Sequence, residues 1–474
     1  MTAFFSFDNS YVDLPDRMYR KTIPEVPPSP ELLAYNQTLG LRLGMPRSAT
    51  DTDLTALFSG KTIPQGSEPI SQAYAGHQFG NFVPSLGDGR AILLGEVIDQ
   101  DGVRRDIQLK GSGRTAFSRG GDGKAWLGPV LREYIVSEAM HHLGIPTTRA
   151  LGATLTGETI LRAEGGVPGA VLTRVASSHI RVGTFQYFAA RGDSEALRAL
   201  FDYSIERHYP DCTTPLDFLQ SVIERQSKLI AKWLGVGFIH GVMNTDNTTI
   251  SGETIDYGPC AFMDTYHPAT VYSSIDRRGR YAYMNQPDII VWNIAQLASS
   301  LLLLESDQDT AIEAYTNAVN KMPDLIARER TKVFAAKLGI SNPSHEDAAL
   351  IEQLLQFMMN AQADFTTTFS GLSTVTPPSF LDDFEGGQAW NAAWQARLET
   401  QSDPTALMKA SNPQYIPRNH KIEDMIQRAL VGDLVAFTKM GNVLETPFTV
   451  QDSAEEFSLP PKPEEEIEAT FCGT

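Results

Sequence analysis

The segment HGVMNTDNTTISGETIDYG, residues 240–258, is the most informative part of this 474-residue sequence. It follows a predicted helix, residues 218–235, whose apolar residues recur at helical spacing. The second half of the segment predicts a strand, a Ser-Gly turn and a second strand, followed by an acidic residue, an aromatic residue and a glycine. The segment therefore places the amide of Asn247 before a predicted hairpin and the carboxylate of Asp256 after it.

Protein kinases show the same order of features: an Asn after the catalytic loop, a short hairpin and then Asp-Phe-Gly. In that pattern Asn247 and Asp256 supply two oxygen ligands for Mg²⁺, a cation that needs few protein ligands when nucleotide phosphates complete its shell. An ordinary polar hairpin with Asp-Asn turn chemistry is the alternative interpretation of the segment taken alone.

Lys110 ends a predicted strand upstream and strengthens the kinase-like interpretation. Two apolar runs around the Asp-Gly turn at residues 99–102 predict an antiparallel hairpin whose second strand ends at this lysine. A kinase small lobe carries its nucleotide-contacting lysine on such a strand. For the residue taken alone, a solvated surface lysine is the alternative.

Two glutamates on the next predicted helix, residues 129–143, compete to pair with Lys110. Glu133 follows the lysine by 23 residues, and Glu138 lies further along the same helix. The two glutamates are separated by about 140° around the helix axis, so both cannot face one lysine. Spacing favours Glu133 as the partner.

The stretch KGSGRTAFSRGGDGKAW, residues 110–126, is glycine-rich and basic. Residues 104–132 carry seven basic residues against two acids, although the whole chain has a formal net charge of −18. Glycines allow backbone amides to approach a polyphosphate closely, and guanidinium groups bind its oxygens. A flexible solvated loop is the alternative, as ordinary surface charge is for Arg174 and Arg181, two further candidate phosphate contacts.

Other features depart from the kinase pattern. The lysine is preceded by Gly87-Asp88-Gly89-Arg90 and not by a G-x-G-x-x-G loop, and His240-Gly241-Val242 stands where kinases have His-Arg-Asp. Asp246 is the only carboxylate near the expected position of the catalytic base. The usual geometry of phosphoryl transfer is therefore not expected.

Composition sets the broad class of the protein. Apolar residues make up 42% and charged residues 20%, which excludes a disordered chain. The acidic balance argues against nucleic acid or anionic membranes as partners. Cys212, Cys260 and Cys472 are too few for a disulfide scaffold. The start of the chain shows no secretory signal, and the apolar run at residues 289–304 is short for a membrane span, so a cytoplasmic protein is expected.

The order of predicted elements indicates an α+β protein with a protein-kinase-like two-lobe fold. We expect a β-rich small lobe and a helical large lobe, with extensions at both ends. The predicted parts are an N-terminal extension (residues 1–60), a small nucleotide-binding lobe (61–181), a helical lobe with the catalytic and metal-binding segment (182–450), and an acidic tail containing Cys472 (451–474).

The sequence resembles the selenoprotein O family, kinase-fold proteins that act as protein adenylyltransferases. The resemblance spans nearly the whole chain and rests on a specific series of motifs in order. They include FDNSYVDLP, YAGHQFGNF, LGDGRA, QLKGSGRTAFSRGGDGKA, LREYIVSEAMHHLGIPTTRAL, GVMNTDN, IDYGP, GRYAYMNQP, SNPQYIPRNHKIE and a Cys near the end.

The resemblance implies that ATP binds inverted relative to kinases, so that AMP passes to Ser, Thr or Tyr hydroxyls of other proteins and pyrophosphate leaves. UMP transfer from UTP is implied as an alternative. Asp246 takes the role of general base, and Asn247 and Asp256 bind Mg²⁺ or Mn²⁺. The nucleotide contacts are assigned to Gly87, Gly89, Arg90, Lys110, Asp122, Gly123, Arg174, Arg181 and Asp256.

The resemblance also raises redox gating by a disulfide between the C-terminal Cys and the activation-loop region. Cys472 fits the first half of that pair. The expected loop Cys is absent, with Tyr272 near its place, and Cys260 is the only loop-side candidate. A free terminal thiol and a buried Cys260 form the alternative. The competing functions are ordinary γ-phosphoryl transfer and a catalytically silent nucleotide-binding scaffold.

Overall fold

A computed structural model describes residues 4–162 and 165–471. Its strands are β1 (Tyr19–Lys21), β2 (Glu31–Tyr35), β3 (Ile70–Gln72), β4 (Gly76–Gln78), β5 (Asn81–Val83), β6 (Ala91–Ile98), β7 (Arg104–Lys110), β8 (Ala125–Trp126), β9 (Arg149–Arg162), β10 (Gly165–Ala176), β11 (Phe238–Ile239) and β12 (Ala261–Phe262).

The α-helices lie mainly after the sheet. They are α1 (Gln37–Arg42), α2 (Asp51–Phe58), α3 (Leu127–His142), α4 (Val182–Ala189), α5 (Ser194–His208), α6 (Pro215–Gly235), α7 (Gln286–Leu301), α8 (Gln308–Asn320), α9 (Met322–Lys337), α10 (His345–Asn360), α11 (Phe365–Leu372), α12 (Gly387–Leu398), α13 (Pro404–Ser411), α14 (Asn419–Leu430), α15 (Val435–Leu444) and α16 (Glu455–Ser458).

The main sheet is antiparallel and has the order β1-β3-β6-β7-β10-β9-β2, with β8 paired to β10. Its two edge strands, β1 and β2, come from the first 60 residues, so this part of the chain is built into the sheet. The predicted hairpin that ends at Lys110 is confirmed, because β6 and β7 pair with Ala91 opposite Lys110. The division of the chain at residues 60, 181 and 450 stays a prediction.

Both faces of the sheet are buried, and adjacent side chains of a strand alternate between them. Leu93 and Leu172 face the large core that continues through α3 into the helical region. Their neighbours Leu94 and Val171 face a smaller core closed by α1 and α2. This double burial explains why β6 reads as a nearly continuous apolar run rather than an alternating one.

Several predicted helices are confirmed with shifted ends. The helix predicted at residues 129–143 is α3, which begins two residues earlier, at Leu127, and ends at His142. The helix predicted over residues 218–235 is α6, which begins at Pro215 behind a capping box made by Thr214 and Asp217. The clustered Pro, Ser and Thr residues at positions 370–379 predict a surface loop, but α11 continues to Leu372, so this prediction is wrong at its start.

Among the described residues, the stretch Tyr283–Leu304 is the one helical segment long and apolar enough to cross a membrane by length and composition. In the structure it contains α7, and 44% of its most apolar 18-residue stretch is buried. Asn293 on this helix is buried and donates to the carbonyl of Met243 and to the hydroxyl of Thr248. The helix therefore makes the polar contacts of a buried helix, in agreement with the sequence interpretation.

Lys337, at the C-terminal end of α9, is a buried cation outside the site. Its side chain is 2% exposed, its Nζ lies 4.5 Å from the ring centre of Phe369, and the nearest acceptor is the carbonyl of Ser411 at 3.5 Å. Burial lowers the pKa of this lysine to about 7. The charged form is therefore poorly accommodated in the folded state.

We predict that Lys337→Met raises the free energy of unfolding by about 2–4 kcal/mol near pH 6. Below pH 7 the folded wild-type protein is destabilised because Lys337 is charged and buried, and above pH 7 the buried lysine is neutral. In the unfolded chain the same lysine stays charged up to about pH 10.5. Wild-type stability from this group therefore rises between those values, and the advantage of the variant shrinks. Denaturant melts at pH 6, 8 and 9.5 measure this trend.

Lys332→Met is the matched control, because Lys332 lies on the same helix, is exposed and pairs with Glu329. Its effect should be small and independent of pH. An equal gain for Lys337→Met at all three pH values would contradict the buried-charge explanation.

Candidate active site

Lys110 joins three elements that are distant in sequence. It lies at the end of β7, and its Nζ is 2.5 Å from Glu133 Oε2 on α3 and 2.5 Å from Asp256 Oδ1. Lys110 and Glu133 are buried, whereas about a third of the Asp256 side chain is exposed. The structure thus brings together three residues that the sequence analysis selected, with one carboxylate open to solvent.

Glu138, the competing glutamate, points away from Lys110. It accepts two hydrogen bonds from the guanidinium of Arg149 and one from the amide of Asn36. Its position five residues after Glu133 places it on another face of α3, as the helical period requires. Glu138 therefore fastens α3 to the sheet and to the N-terminal segment.

Arg174 extends the charged cluster behind Glu133. Its Nη1 lies 3.2 Å from Glu133 Oε1, and its Nη2 donates to Gln108 Oε1 at 2.5 Å. Burial by itself raises the pKa of Asp256, but Lys110 and Arg90 outweigh it and lower this pKa well below the ordinary value. Asp256 is therefore ionised at every physiological pH.

The backbone at Asp256 is held in an unusual conformation. Its φ of 68° lies in the left-handed region, which costs a non-glycine residue about 1–2 kcal/mol. The next residue, Tyr257, is buried, and its hydroxyl hydrogen bonds to the hydroxyl of Thr147. A bridge between Thr147 and Thr254 fixes the same segment from the other side. These contacts hold the carboxylate in front of Lys110.

The segment between Asn247 and Asp256 corrects one sequence prediction. We expected a short β-hairpin, but its two sides pair with other parts of the chain: Thr249 with Arg181, and Thr254 with Thr147. The turn itself is closed by Thr249, whose hydroxyl donates to the carbonyl of Glu253 and accepts from its amide. The Ser-Gly turn chemistry was read correctly, but long-range pairing replaced the local hairpin.

Asn247 and Asp246 lie in one turn of 3-10 helix, Thr245–Asn247. The amide nitrogen of Asn247 donates to the carbonyl of Val242 at 3.0 Å, which fixes the side chain and leaves its oxygen for another ligand. His240 is buried, stacks on Trp233 and contacts the carbonyl of Ile255. Because His240-Gly241-Val242 stands in place of His-Arg-Asp, the apolar Val242 occupies the position of the catalytic Asp of a kinase.

Asp246 is nearly enclosed. The side chain of Gln78 donates to its Oδ2 at 3.3 Å, Arg181 donates to its backbone carbonyl at 3.1 Å, and its Oδ1 has no hydrogen-bond partner among the described residues. Burial raises the pKa of Asp246 to about 6. A carboxyl with this pKa is a stronger base than an ordinary aspartate and is still mostly ionised near neutral pH.

The β4–β5 hairpin covers Asp246, and the sequence analysis missed it. The amide of His77 donates to Thr245 Oγ1 at 2.7 Å, and the amide of Phe79 donates to Asn244 Oδ1 at 3.1 Å. The ring of His77, in the same hairpin, packs on Phe82 and Trp292. Gly76 was the available signal, because it lies where a side chain would collide with Asp246.

The glycine-rich stretch folds over the turn at Gly87-Asp88-Gly89. Thr115 donates to the carbonyl of Asp88, Ser118 donates to the carbonyl of Gly89, and the ring of Phe117 fills the space where Gly87 has no side chain. The stretch is therefore a structured cover over the turn and not a free loop.

The remaining predicted nucleotide contacts lie on either side of this cover. Arg181 is buried with its guanidinium 4.2 Å from the ring centre of Tyr74. Gly123 packs against the backbone of Gly113, where no side chain fits. Asp122 forms its ion pair with Arg162 at 2.8 Å and not with the Lys110 cluster. Whether Arg181, Asp122 and Gly123 bind nucleotide stays a prediction.

The side chains of Asn247 and Asp256 suit a divalent cation whose coordination shell is completed by phosphates. Within residues 4–162 and 165–471 no three His, Cys, Asp or Glu side chains gather as a metal site. Asn247 instead offers an amide oxygen and Asp256 an ionised carboxylate, the oxygen ligands that Mg²⁺ and Mn²⁺ accept. The residues present therefore fit such an ion when nucleotide supplies the other ligands.

Of the two cysteines considered for redox gating, Cys260 lies within the described residues. Cys260 is buried, and burial raises the pKa of its thiol to about 12, which leaves almost no reactive thiolate. Cys472 lies outside the described residues. Thr470 pairs with the backbone around Tyr272 and Ser274 and donates to the carbonyl of Pro259. Redox pairing of Cys472 with Cys260 stays a prediction.

We predict that Gly76→Ala lowers the free energy of unfolding by about 1–3 kcal/mol. A methyl group at this position would lie 2.4 Å from Asp246 Oδ1, so the hairpin must shift. Thermal melts measure the loss, and hydrogen exchange should show faster exchange at residues 76–83.

Gly371→Ala is the control for this variant, because a methyl group there has nothing within 4 Å and the residue lies in helix α11. It should be neutral or stabilising by about 0.5–1 kcal/mol. Equal effects for the two variants would show that contact with Asp246 does not constrain the hairpin.

Comparison with known proteins identifies the family. The SelO protein adenylyltransferase family matches residues 2–445. The chain is similar over its full length, and that of each relative, to proteins named protein nucleotidyltransferase YdiU. It is 55% identical to the one from Ruegeria pomeroyi (strain ATCC 700808 / DSM 15171 / DSS-3), 54% to that of Ruegeria sp. (strain TM1040) and 51% to that of Rhizobium meliloti (strain 1021). The chain therefore belongs to the SelO family of protein adenylyltransferases.

Proposed function

We propose that this adenylyltransferase transfers AMP from ATP to Ser, Thr or Tyr hydroxyls of protein substrates and releases pyrophosphate. One observation carries the proposal: an ionised Asp256 is paired with Lys110, which also pairs with Glu133, while Val242 occupies the position of the kinase base. These pairs support a kinase-like phosphate-binding site without the usual base. UMP transfer from UTP is the alternative that the same site would serve.

The proposed architecture is that of a two-lobe kinase-like protein. An antiparallel sheet with α3 packed on it precedes the helical region, and the Lys110–Glu133 pair joins the sheet to this helix, as in a kinase small lobe. A small cavity beside Lys110, between the sheet and α3, is lined by Arg90 and Tyr257 among others. This arrangement supports a nucleotide site at that junction.

Asn247 and Asp256 would hold Mg²⁺ or Mn²⁺, which supplies charge neutralisation at the phosphates when bound. The chain itself contributes fixed positive charge: Lys110 and Arg174 are oriented by Glu133 before any ligand arrives. Preorganised charges of this kind stabilise a transferring phosphoryl centre without further rearrangement.

Asp246 would accept the proton of the acceptor hydroxyl. Its raised pKa, about 6, suits a base that works near neutral pH. Its Oδ1 has no hydrogen-bond partner among the described residues, although Gly76 of the β4–β5 hairpin lies against it. Gln78 holds the other oxygen and so fixes the orientation of the carboxylate.

We predict that the purified protein, incubated with ATP and Mg²⁺ or Mn²⁺ together with a mixture of proteins, adds adenylyl mass to itself or to an acceptor. Asp256→Ala should abolish the product, because it removes the ionised ligand and leaves Lys110 paired with Glu133 alone. Intact-mass spectrometry distinguishes the outcomes. Added phosphoryl mass would establish an ordinary kinase, and nucleotide binding without any product would establish a silent scaffold.

A second prediction compares the two glutamates of α3. Glu133→Gln should lower the rate of transfer by about 100-fold or more, because Lys110 and Arg174 lose their common carboxylate. Glu138→Gln should leave the rate of the folded protein near the wild-type value and lower stability by about 1–3 kcal/mol, because Arg149 loses its partner. Initial rates and thermal melts measure both. Equal rate losses would contradict the assignment of Glu133.

A further inference from the structure

Residues 265–285, which form most of the segment between β12 and α7, carry an unusual charge for this chain. They contain Arg277, Arg278 and Arg280 against one acid, Asp276, whereas the whole protein has a net charge of −18. Arg277 and Arg278 are exposed, and Arg280 is half-buried. Residues 265–285 are called the basic loop below.

Asp276 organises the basic loop instead of neutralising it. Its side chain is buried, and its two oxygens accept the backbone amides of Arg280 at 3.0 Å and Tyr281 at 2.7 Å. A further backbone bond joins Gly279 to the carbonyl of Asp276. The carboxylate is therefore used in shaping a tight turn, and that turn displays Arg277 and Arg278 at the surface.

The basic loop is fastened to the segment that carries Asp246. The hydroxyl of Tyr281 donates to Asn244 Oδ1 at 2.7 Å, the same oxygen that accepts the amide of Phe79 in the β4–β5 hairpin. A methyl group built on Gly80 would lie 3.8 Å from the guanidinium carbon of Arg280, so this arginine lies at the tip of that hairpin. The loop and the hairpin thus meet within two residues of Asp246.

The three arginines have no carboxylate partner in the part of the chain that the structure describes. No Asp or Glu oxygen lies within 4.0 Å of their guanidinium nitrogens there, although most other arginines of the sheet and its neighbours are paired. Arg280 stacks instead over Trp292, 5.2 Å from the ring centre, and its Nε is buried without a partner. Guanidinium groups held in this way are ready to bind carboxylates in pairs of hydrogen bonds.

We propose that the basic loop recognises acceptor proteins through acidic side chains that flank the hydroxyl to be modified. The inference rests on the proposed function, because it assumes that the hydroxyl is delivered to Asp246. A peptide segment entering beside the hairpin would pass Arg280 first and then Arg277 and Arg278. Charge complementarity of this kind raises the rate of encounter and fixes the register of the bound segment.

The test uses two hydroxyl-containing peptides that differ only in having Glu or Gln on both sides of the acceptor. The label comes from ATP labelled at its α-phosphate, and initial rates give KM and kcat for each peptide. We expect the wild-type protein to have the lower KM for the Glu peptide. Arg277→Gln with Arg278→Gln should raise that KM by about three- to tenfold, since each exposed ion pair contributes a modest amount.

Two double variants serve as controls. Arg277→Lys with Arg278→Lys keeps the charge and should retain most of the preference for the Glu peptide. Lys321→Gln with Arg328→Gln removes the same charge from two exposed positions, the N-cap of α9 and the helix itself, which contributes no residue to the site. This variant should leave both KM values unchanged. The KM for ATP should be constant across all variants, and added salt should weaken the preference.

Equal KM values for the Glu and Gln peptides in the wild-type protein would overturn the inference and leave the proposed function standing. A rise in the KM for ATP in Arg277→Gln with Arg278→Gln would overturn it as well, because the arginines would then serve the nucleotide. Absence of α-phosphate label in every peptide and protein acceptor would remove the proposed function, and the inference with it.

Discussion

The position of Lys110 between Glu133 and Asp256 is the constraint on which the rest of the site depends. A buried cation must be paired, and breaking such a pair leaves an uncompensated charge that costs about 3–5 kcal/mol. Lys110 lies on β7, Glu133 on α3, and Asp256 in the segment after the turn closed by Thr249. Their pairing therefore ties the sheet to the helical region. The ion pair with Lys110 also fixes the orientation of the Asp256 carboxylate. The left-handed backbone conformation of Asp256 shows that the contacts around this residue outweigh the local strain.

Enclosure of Asp246 is the second organising feature. The hairpin at residues 76–83 covers one oxygen, Gln78 holds the other, and burial raises the pKa into the range useful for a base. An active site that lacks the kinase His-Arg-Asp can therefore still present a carboxylate of suitable basicity. Asn244 joins this hairpin to the basic loop, because its oxygen accepts from both elements. The surroundings of Asp246 and the surface proposed for the acceptor are thus one connected structure.

Electrostatics distinguish the site from the remainder of the protein. The chain as a whole is acidic, and inside the site Lys110 and Arg174 are paired with Glu133 and Asp256. Arg277 and Arg278 on the basic loop have no carboxylate partner among the described residues. They form the local positive charge that the proposed acidic acceptor segment would meet.

The sequence by itself determined the α+β class, the β6–β7 hairpin, the approximate position of α3, and the candidates Lys110, Glu133 and Asp256, because these depend on local periodicity, turn chemistry and spacing along one helix or strand. Only the tertiary structure decided that residues 248–255 pair with Arg181 and Thr147 instead of forming a hairpin, and that the β4–β5 hairpin covers Asp246. Those outcomes depend on contacts between residues 68 to 168 positions apart. Local propensity carries no information about such contacts, because the energy of burying a side chain or pairing a charge is set by whichever distant segment arrives beside it.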